Sequence, residues 1–199
     1  MNDSRTDLEL LQLWQAGDNH AGSALVKRHF KALHRFLVSK VNSHAEDLIQ
    51  QTFVACVEAR DAFRGESSFR AYLFGLARFQ LYRHYRDGRY RSRTQCITTS
   101  VRDQATSPSG VVVRHEERQL LLQAMQRVPV DQQIALELTY WNGMAAPELA
   151  HVLGVPENTV YSRLSRAKAQ LRQVLGELSS EPATCERAIA LLDASAVEE

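Results

Sequence analysis

Hydrophobic positions along this chain recur at the three- and four-residue steps that are typical of amphipathic helices. Strand-like alternation of polar and apolar residues is weak throughout, so the pattern predicts an all-α fold. Residues 43–46 have the spacing of a capping box, which predicts the start of the second helix. The apolar stripes of the three predicted N-terminal helices contain Phe30, Leu33, Leu37 and Val41, then Ile49, Phe53, Cys56 and Val57, and finally Leu73, Leu76 and Ala77.

The periodic pattern is interrupted between two helical segments. Residues 88–113 are rich in Ser, Thr, Arg and Gly and carry Pro108 near their end, which is typical of a linker without a core of its own. Helical spacing resumes with Leu120 and Met125. The sequence therefore predicts two small helical domains joined by a flexible linker, with the first domain at residues 1–87, the linker at 88–113, the second domain at 114–175 and a tail at 176–199.

The tail has two interpretations. Residues 182–194 can form a short helix with Ala188, Ile189, Leu191 and Leu192 on one apolar side. A frayed terminus is the commoner case. The alternative is a regulatory flap or a docking point for an inhibitor protein.

Residues 143–172 have the form of a helix-turn-helix that ends in a basic helix. Gly154 suits the left-handed position that ends the first helix, and Pro156 suits the first turn of the second. The inward positions are Leu149, Ala150 and Leu153 in the first helix and Val160, Leu164, Ala167 and Leu171 in the second. Short polar residues and arginines remain outward, which suits base edges and phosphates in a DNA major groove. The alternative is an ordinary helical hairpin with a solvated basic face.

Charge is unevenly distributed in a chain whose formal net charge is only +1. Between residues 60 and 93 lie nine arginines against three acidic residues, and the basic helix forms a second cluster. Two basic patches predict two separate contacts with a polyanion. Aromatic residues interleave with the first patch, as in proteins that stack single-stranded bases. For Phe69, Leu73 and Leu76 we favour burial in the core instead.

Several classes of protein are disfavoured by what the sequence carries. Three widely spaced cysteines without a CxxC pair predict neither a zinc site nor a disulfide framework. The seven histidines show no metal or acid–base spacing, and there is no glycine-rich phosphate loop, so we expect no enzyme activity, metal or cofactor. With neither a signal peptide nor a long apolar run, we expect a soluble cytoplasmic protein that does not insert into a membrane.

Three motifs in order, HAEDLIQQTF, FRGESSFRAYLFGLAR and the helix-turn-helix, resemble the bacterial RNA polymerase sigma factors of the extracytoplasmic-function group. The resemblance covers roughly residues 8–172. It implies sigma domains two and four joined by a linker. It further implies a function: the chain binds core RNA polymerase and directs promoter-specific initiation, with promoter DNA and an anti-sigma factor as further partners.

The resemblance also implies roles for individual residues. The helix in the first motif docks on the β′ clamp helices through Asp47, Leu48, Gln50, Gln51 and Phe53. A purely local role for Asp47 is to favour the helix N-terminus. The loop at residues 63–68 captures a flipped base, and the helix after it follows the melted strand. The minus-ten contacts are Arg64, Gly65, Glu66, Ser67, Ser68, Arg78, Tyr82, His84 and Arg86. A plain interhelical turn is the alternative for the loop, although Gly65 would let a nucleotide approach the backbone closely.

In the second domain, the resemblance implies contact with the β flap of polymerase and with the minus-thirty-five element. The DNA contacts are Asn158, Thr159, Tyr161, Ser162, Arg163, Arg166 and Lys168. Four positions depart from the family pattern: Phe79 replaces a usual asparagine, Arg83 a common aspartate and Tyr161 a frequent lysine, and Ala145 stands where serine or threonine often caps the first helix of the motif. These departures bear on promoter sequence and leave the class unchanged.

The rival interpretation is a free-standing helix-turn-helix regulator. It predicts tight binding of duplex DNA by the isolated protein, at a palindromic site. The first two motifs would then be a coincidence.

Overall fold

The computed structural model describes residues 4–41, 44–63, 65–87 and 110–194, with the backbone alone for residues 110–115. Within these ranges every regular element is helical, which confirms the all-α prediction. The chain divides into two compact units, residues 1–93 with 150–154, and residues 94–149 with 155–199. Arg64 and residues 88–109 of the predicted linker lie outside the described residues. No helix of the described part is both long and apolar enough to cross a membrane.

The described residues up to 87, which belong to the first unit, form four α-helices and a short 3-10 turn, and three of the helices begin at a side-chain cap. Thr6 and Glu9 form a capping box on α1, the side chain of Asp18 accepts two N–H groups at the start of α2, and that of Ser68 accepts the Ala71 N–H at the start of α4. The bounds are α1 Asp7–Gln15, α2 Asn19–Val38, α3 Ala45–Glu58, the 3-10 turn Arg60–Ala62, and α4 Phe69–Arg86.

Helix α3 differs from its prediction at its start and on its buried face. Its N-cap is His44, which makes no side-chain capping bond, and Ser43 of the predicted capping box lies outside the described residues. It buries Leu48, Ile49, Thr52 and Cys56. Thr52 can be buried because its hydroxyl donates to the Leu48 carbonyl oxygen at 2.7 Å, which satisfies the polar group within the helix.

The predicted apolar stripes of α2 and α3 each include a residue that the structure leaves exposed. Phe30 is 46% exposed and Val57 is 46% exposed, although both were expected inside. The expected burial of Leu33, Leu37 and Leu73 is confirmed, as is that of Phe69. The core between α2 and α4 is centred on an edge-to-face pair of Phe36 and Phe74, whose ring centroids lie 5.2 Å apart.

An ionic cluster joins the first two helices. Arg28 donates to Oδ1 of Asp7 at 2.6 Å, and His29 Nε2 lies 2.6 Å from Oδ2 of the same carboxylate. Burial by itself raises the pKa of Asp7. The hydrogen bonds and charges of His29 and Arg28 outweigh this effect, so the pKa lies below its ordinary value.

Five helices follow in the rest of the described chain. Helix α5 begins four residues before the expected domain start at 114, and α8 continues past the expected end at 175. Helices α5, α6, α8 and α9 share a core that includes Met125, Leu136, Leu171 and Leu192. The bounds are α5 Gly110–Arg127, α6 Val130–Tyr140, α7 Ala146–Leu153, α8 Glu157–Leu178 and α9 Pro182–Ala194.

The expectation of a frayed C-terminal tail is wrong for residues 182–194. Helix α9 packs against α5 and α8, and its Ala188 and Leu192 are fully buried. Arg187 of this helix forms an ion pair with the buried Glu117 of α5. Leucine burial and ion pairing together hold α9 as a regular part of the second unit.

Candidate nucleic-acid interface and docking groove

The loop between the 3-10 turn and α4 is open to solvent. Gly65 adopts φ +75°, and a Cβ built there would meet nothing within 4 Å. Gly65, Glu66 and Ser68 are exposed and Ser67 is half-buried. The left-handed backbone at Gly65 requires glycine for conformational reasons alone, since the space around it is empty. The loop therefore leaves room for a flat ligand to approach its backbone.

Both ends of this loop are anchored to helices. The side-chain amide of Gln15 donates to the carbonyl oxygens of Arg60 and Phe63 at 2.7 and 3.5 Å. The ring of Phe63 lies 4.8 Å from that of Tyr72, whose hydroxyl donates to the Ala59 carbonyl oxygen at 3.5 Å. Sequence patterning gave no signal for Gln15, because its role depends on contacts 45 and 48 residues away. The open loop thus stands on a fixed stem.

Helix α4 places basic and aromatic residues beyond the loop. The guanidinium of Arg78 lies 4.8 Å from the centroid of the Tyr82 ring, a cation–π distance. Tyr82 is half-buried, and Arg86 is exposed at the last turn. Arg78, Tyr82 and Arg86 therefore remain predicted minus-ten contacts on geometry that permits them.

The position of the His84 side chain does not agree with its predicted DNA contact. Its side chain is buried on the same side of α4 as Ala77 and Leu81, and its ring lies 5.0 Å from that of His44. Positions three and four residues apart share one face of a helix, so His84 belongs to the buried stripe of α4. This burial contradicts the predicted DNA contact of His84.

Helix α3 presents an apolar groove against α2. The groove has a volume of about 720 Å³, and Phe53 stacks on Phe30 within it at 6.3 Å between centroids and 9° between ring planes. Val54 and Val57 add exposed aliphatic surface, being 48% and 46% exposed. The lining residues are Phe30, His34, Glu46, Ile49, Gln50, Phe53, Val54, Val57 and Glu58. Contiguous exposed apolar surface of this kind is typical of a protein-docking site.

The structure exposes some of the predicted docking residues and buries others. Asp47, Gln50 and Gln51 are exposed on α3, and Phe53 is half-buried in the groove. Leu48 is buried in the core, so its predicted contact with a partner is wrong. Sequence reasoning missed Phe30, Val54 and Val57 as surface residues. Helix α3 carries apolar residues on more than one face, and the pattern alone does not show which of these faces is buried.

The turn before α8 follows the predicted chemistry with one shift. Gly154 adopts φ +64°, the left-handed conformation expected for it. Pro156 is the N-cap of α8 and precedes its first turn instead of lying within it. Val160, Ala167 and Leu171 are buried as predicted, whereas Leu164 is only half-buried.

The outward face of α8 carries most of the predicted DNA contacts. Asn158, Tyr161, Ser162 and Arg166 are exposed, and Thr159 and Arg163 are half-buried. Local hydrogen bonds orient two of these side chains. The Tyr161 hydroxyl donates to Glu157 at 3.2 Å, and Arg166 Nε donates to the Ser162 carbonyl oxygen at 3.2 Å. This face has the polar and cationic groups that a major groove accepts.

Lys168 lies apart from that face. Its Nζ is 2.9 Å from Asp193 Oδ1 of α9 and 4.7 Å from the centroid of the Tyr140 ring. Hydrogen bonding to Tyr140, and then to Asp193, raises the pKa of Lys168. Its ammonium group is paired within the second unit, so the DNA contact of Lys168, which stays a prediction, requires this pair to open.

Comparison with known proteins adds an independent observation. Residues 25–91 match the family model described as Sigma-70 region 2, and residues 118–171 match that described as Sigma-70, region 4. The RNA polymerase sigma factor NccH of Alcaligenes xylosoxydans xylosoxydans is 31% identical over 185 residues, which cover 88% of this chain and 97% of that protein. The ECF RNA polymerase sigma factor SigM of Mycobacterium tuberculosis is 28% identical over 178 residues, covering 88% of each.

Solved structures show the same helical arrangement. The structure of CnrH in complex with the cytosolic domain of CnrY has a TM-score of 0.66 and 27% identity, and covers 87% of this chain and 99% of that one. The sigma factor RpoE of Bartonella quintana, solved with the anti-sigma factor NepR, is similar in fold, with a TM-score of 0.61 and 24% identity over 76% of this chain and 94% of that one.

Proposed function

We propose, from the premise that this chain belongs to the extracytoplasmic-function group of sigma-70 RNA polymerase sigma factors, a division of the initiation task among three of its surfaces. The chain is a sigma factor, and membership in this family excludes the free-standing regulator. Sigma factors are non-enzymatic initiation factors that act with core RNA polymerase. We assign the individual residues that contact polymerase, the minus-ten element and the minus-thirty-five element.

The observation that carries this division is the pair of unlike surfaces on the first unit. One is the apolar groove between α2 and α3, and the other is the open loop at residues 63–68 followed by the cationic face of α4. An apolar groove suits a protein partner, while an open loop beside cations suits nucleic acid. A protein that binds only DNA has no use for the first of these surfaces.

Core polymerase binds at the groove in this proposal. Gln50 lies at the polar rim of the groove with Glu46 and Glu58, and Phe53 lines its apolar floor. Asp47 and Gln51 lie on the adjoining face of α3, toward α4. Protein interfaces of this type combine an apolar centre with a polar rim, and the centre supplies most of the affinity. We assign the β′ clamp helices as the occupant, with Phe30, Val54 and Val57 added to the residues that contact them.

The minus-ten element binds along the loop and α4. Gly65 and its neighbours Glu66, Ser67 and Ser68 receive one flipped base, while Arg78, Tyr82 and Arg86 follow the displaced strand. Opening about one turn of duplex costs roughly 1.4 kcal/mol for each stacking step. Base capture and polymerase contacts have to offset that cost, so opening requires the complex with polymerase.

The minus-thirty-five element binds at α8, and the second unit also contacts the β flap in this proposal. Asn158, Thr159, Tyr161 and Ser162 meet base edges, while Arg163 and Arg166 meet phosphates. The formal net charge of only +1 agrees with a factor that binds DNA weakly by itself. We expect this factor to act in the cytoplasm, together with polymerase.

We assign a further partner, an anti-sigma factor, to the same groove. A structure 27% identical to this chain was solved with the cytosolic domain of another protein, CnrY. An inhibitor that covers the apolar groove would exclude polymerase directly, because both need the same exposed apolar residues.

The test is reconstitution of the chain with core RNA polymerase on a promoter library. We expect start-site-specific transcripts whose templates share two sequence elements with fixed spacing. Transcripts that begin at random, or that are the same with and without the chain, would contradict the proposal. A matched template with the upstream element scrambled separates the contribution of α8 from that of the first unit.

A further inference from the structure

We propose that Phe79 is a base-stacking residue that holds an unpaired nucleotide of the opened promoter strand. This inference rests on the proposed function of α4 and goes beyond it, because the strand-following contacts assigned above are Arg78, Tyr82 and Arg86. Phe79 is 62% exposed, more than any other large hydrophobic side chain that the described residues leave exposed.

Exposure alone is weak evidence for a binding role, since single hydrophobic residues occur on most protein surfaces. The position of Phe79 on its helix is stronger evidence. The buried residues of α4 include Ala77, Leu81 and His84, and Phe79 lies between them in sequence on the opposite side of the helix. It therefore stands at the centre of the solvent face of α4.

The helix surface one turn before Phe79 carries no side chain. Gly75 precedes Phe79 by one turn, and a Cβ added at Gly75 would meet nothing within 4 Å. With hydrogen in place of a side chain, Gly75 leaves the backbone bare where a planar ligand would lie against the ring. An aromatic ring next to bare backbone provides a stacking platform without steric obstruction.

Two arginines follow Phe79 on the same face of α4. Arg83 and Arg86 are exposed four and seven residues after Phe79, positions that share its side of the helix. Single-strand-binding sites combine an aromatic ring for the base with cations for the backbone phosphates. The charge complementarity selects a nucleic-acid strand over an apolar peptide as the occupant of this face.

The geometry places Phe79 and the capture loop on different nucleotides of one strand. Eleven residues separate Ser68, where α4 is capped, from Phe79, a rise of about 16 Å at 1.5 Å per residue. That length corresponds to about five nucleotides at a stacked spacing of 3.4 Å, and to fewer if the strand is stretched. The loop and the ring can therefore hold two separate bases.

The chemistry of the ring predicts how this base is recognised. Phenylalanine has no hydrogen-bonding group, so it cannot select a base by its edge. Stacking tolerates every base because each has a π face. At this position of the promoter we expect a requirement for an unpaired base with little preference for its identity.

The experiment uses the complex of the full chain with core polymerase and a promoter selected from a library by the wild-type complex. 2-Aminopurine is placed at successive positions of the minus-ten non-template strand, and its fluorescence and the yield of open complex are measured. We expect Phe79→Ala and Phe79→Leu each to lower the open-complex equilibrium constant by about 5- to 150-fold, whereas Phe79→Trp retains it. One 2-aminopurine position should brighten in Phe79→Ala, and it should differ from the position that responds to changes at Gly65.

The control is Leu13→Ala, which removes an exposed apolar side chain from α1 of the same unit. Wild-type opening by Phe79→Ala overturns the inference, as does wild-type opening by Phe79→Leu, which would indicate an apolar contact without stacking. Failure of the wild-type complex to open any promoter would instead overturn the proposed function. Thermal unfolding is expected to be unchanged in all Phe79 variants, because the side chain is exposed.

Discussion

Replacing Gly65 by alanine is expected to impair promoter opening without unfolding the protein. Gly65 holds φ +75°, where an L-residue costs about 1–2 kcal/mol relative to glycine. No atom lies within 4 Å of an added Cβ, so the whole penalty comes from the backbone conformation. If the loop relaxes to another conformation, the capture-competent population falls by about 5- to 30-fold, and the apparent affinity for the minus-ten strand falls with it.

Gly176→Ala is the matched control for this substitution. Gly176 lies within α8, and a Cβ there also meets nothing within 4 Å, but its φ is not left-handed. Alanine in a helix is more favourable than glycine by about 1 kcal/mol, so this variant should be slightly stabilised.

The assay for both variants is open-complex formation by the complex with core polymerase, read by 2-aminopurine in the minus-ten strand, together with thermal unfolding of the free chain. Gly65→Ala should open the promoter poorly and Gly176→Ala should open it normally. If Gly65→Ala opens the promoter as well as the wild type, the left-handed loop has no part in base capture.

Three further predictions concern the groove, the last helix and the N-terminal ion pair. Val54→Glu should weaken binding to core polymerase at least about tenfold in a fluorescence-anisotropy titration, because it places a charge in the apolar groove. The control Leu8→Glu on α1 should bind normally, and equal binding by both variants would contradict the docking site. Leu192→Ala should lower the free energy of unfolding by about 2–5 kcal/mol in denaturant titrations, because Leu192 is fully buried. The control Ala190→Ser, at an exposed position, should lower it by about 0.5 kcal/mol or less. A loss below about 1 kcal/mol in Leu192→Ala would mean that α9 is not packed. The pKa of Asp7 is lowered in the folded protein, so its stabilising contribution is complete above the ordinary pKa of 3.8 and is lost as the pH falls through the lower folded value. Asp7→Asn should therefore lose less stability than the wild type between about pH 5 and pH 2. An unchanged pH profile would contradict the pairing of Asp7 with Arg28 and His29.

The sequence was sufficient for the features that depend on local chemistry. Helix periodicity located α4 and the burial of Leu73, and a glycine after an apolar helix located the left-handed turn at Gly154. These features follow from backbone preference and side-chain spacing, both of which a single sequence displays.

Features that depend on which helix packs against which could not be predicted from the sequence in the same way. Helix α3 has apolar residues on more than one face, so the pattern alone did not reveal that Leu48 is buried and Val57 is exposed. The burial of Thr52 requires a hydroxyl-to-carbonyl bond that hydropathy does not describe. Lys168 looks like any other cation of a basic helix until α9 brings Asp193 to it. Each of these outcomes was decided by which helix packs against which.

The central claim is that the chain opens a promoter only as part of the polymerase complex, and permanganate footprinting of the non-template strand tests it most directly. Permanganate oxidises unpaired thymines, so the account predicts reactive thymines in the minus-ten element when the chain and core polymerase are both present, and none with either alone. Reactive thymines with the chain alone, or their absence from the complete mixture on a promoter that it transcribes, would contradict the account.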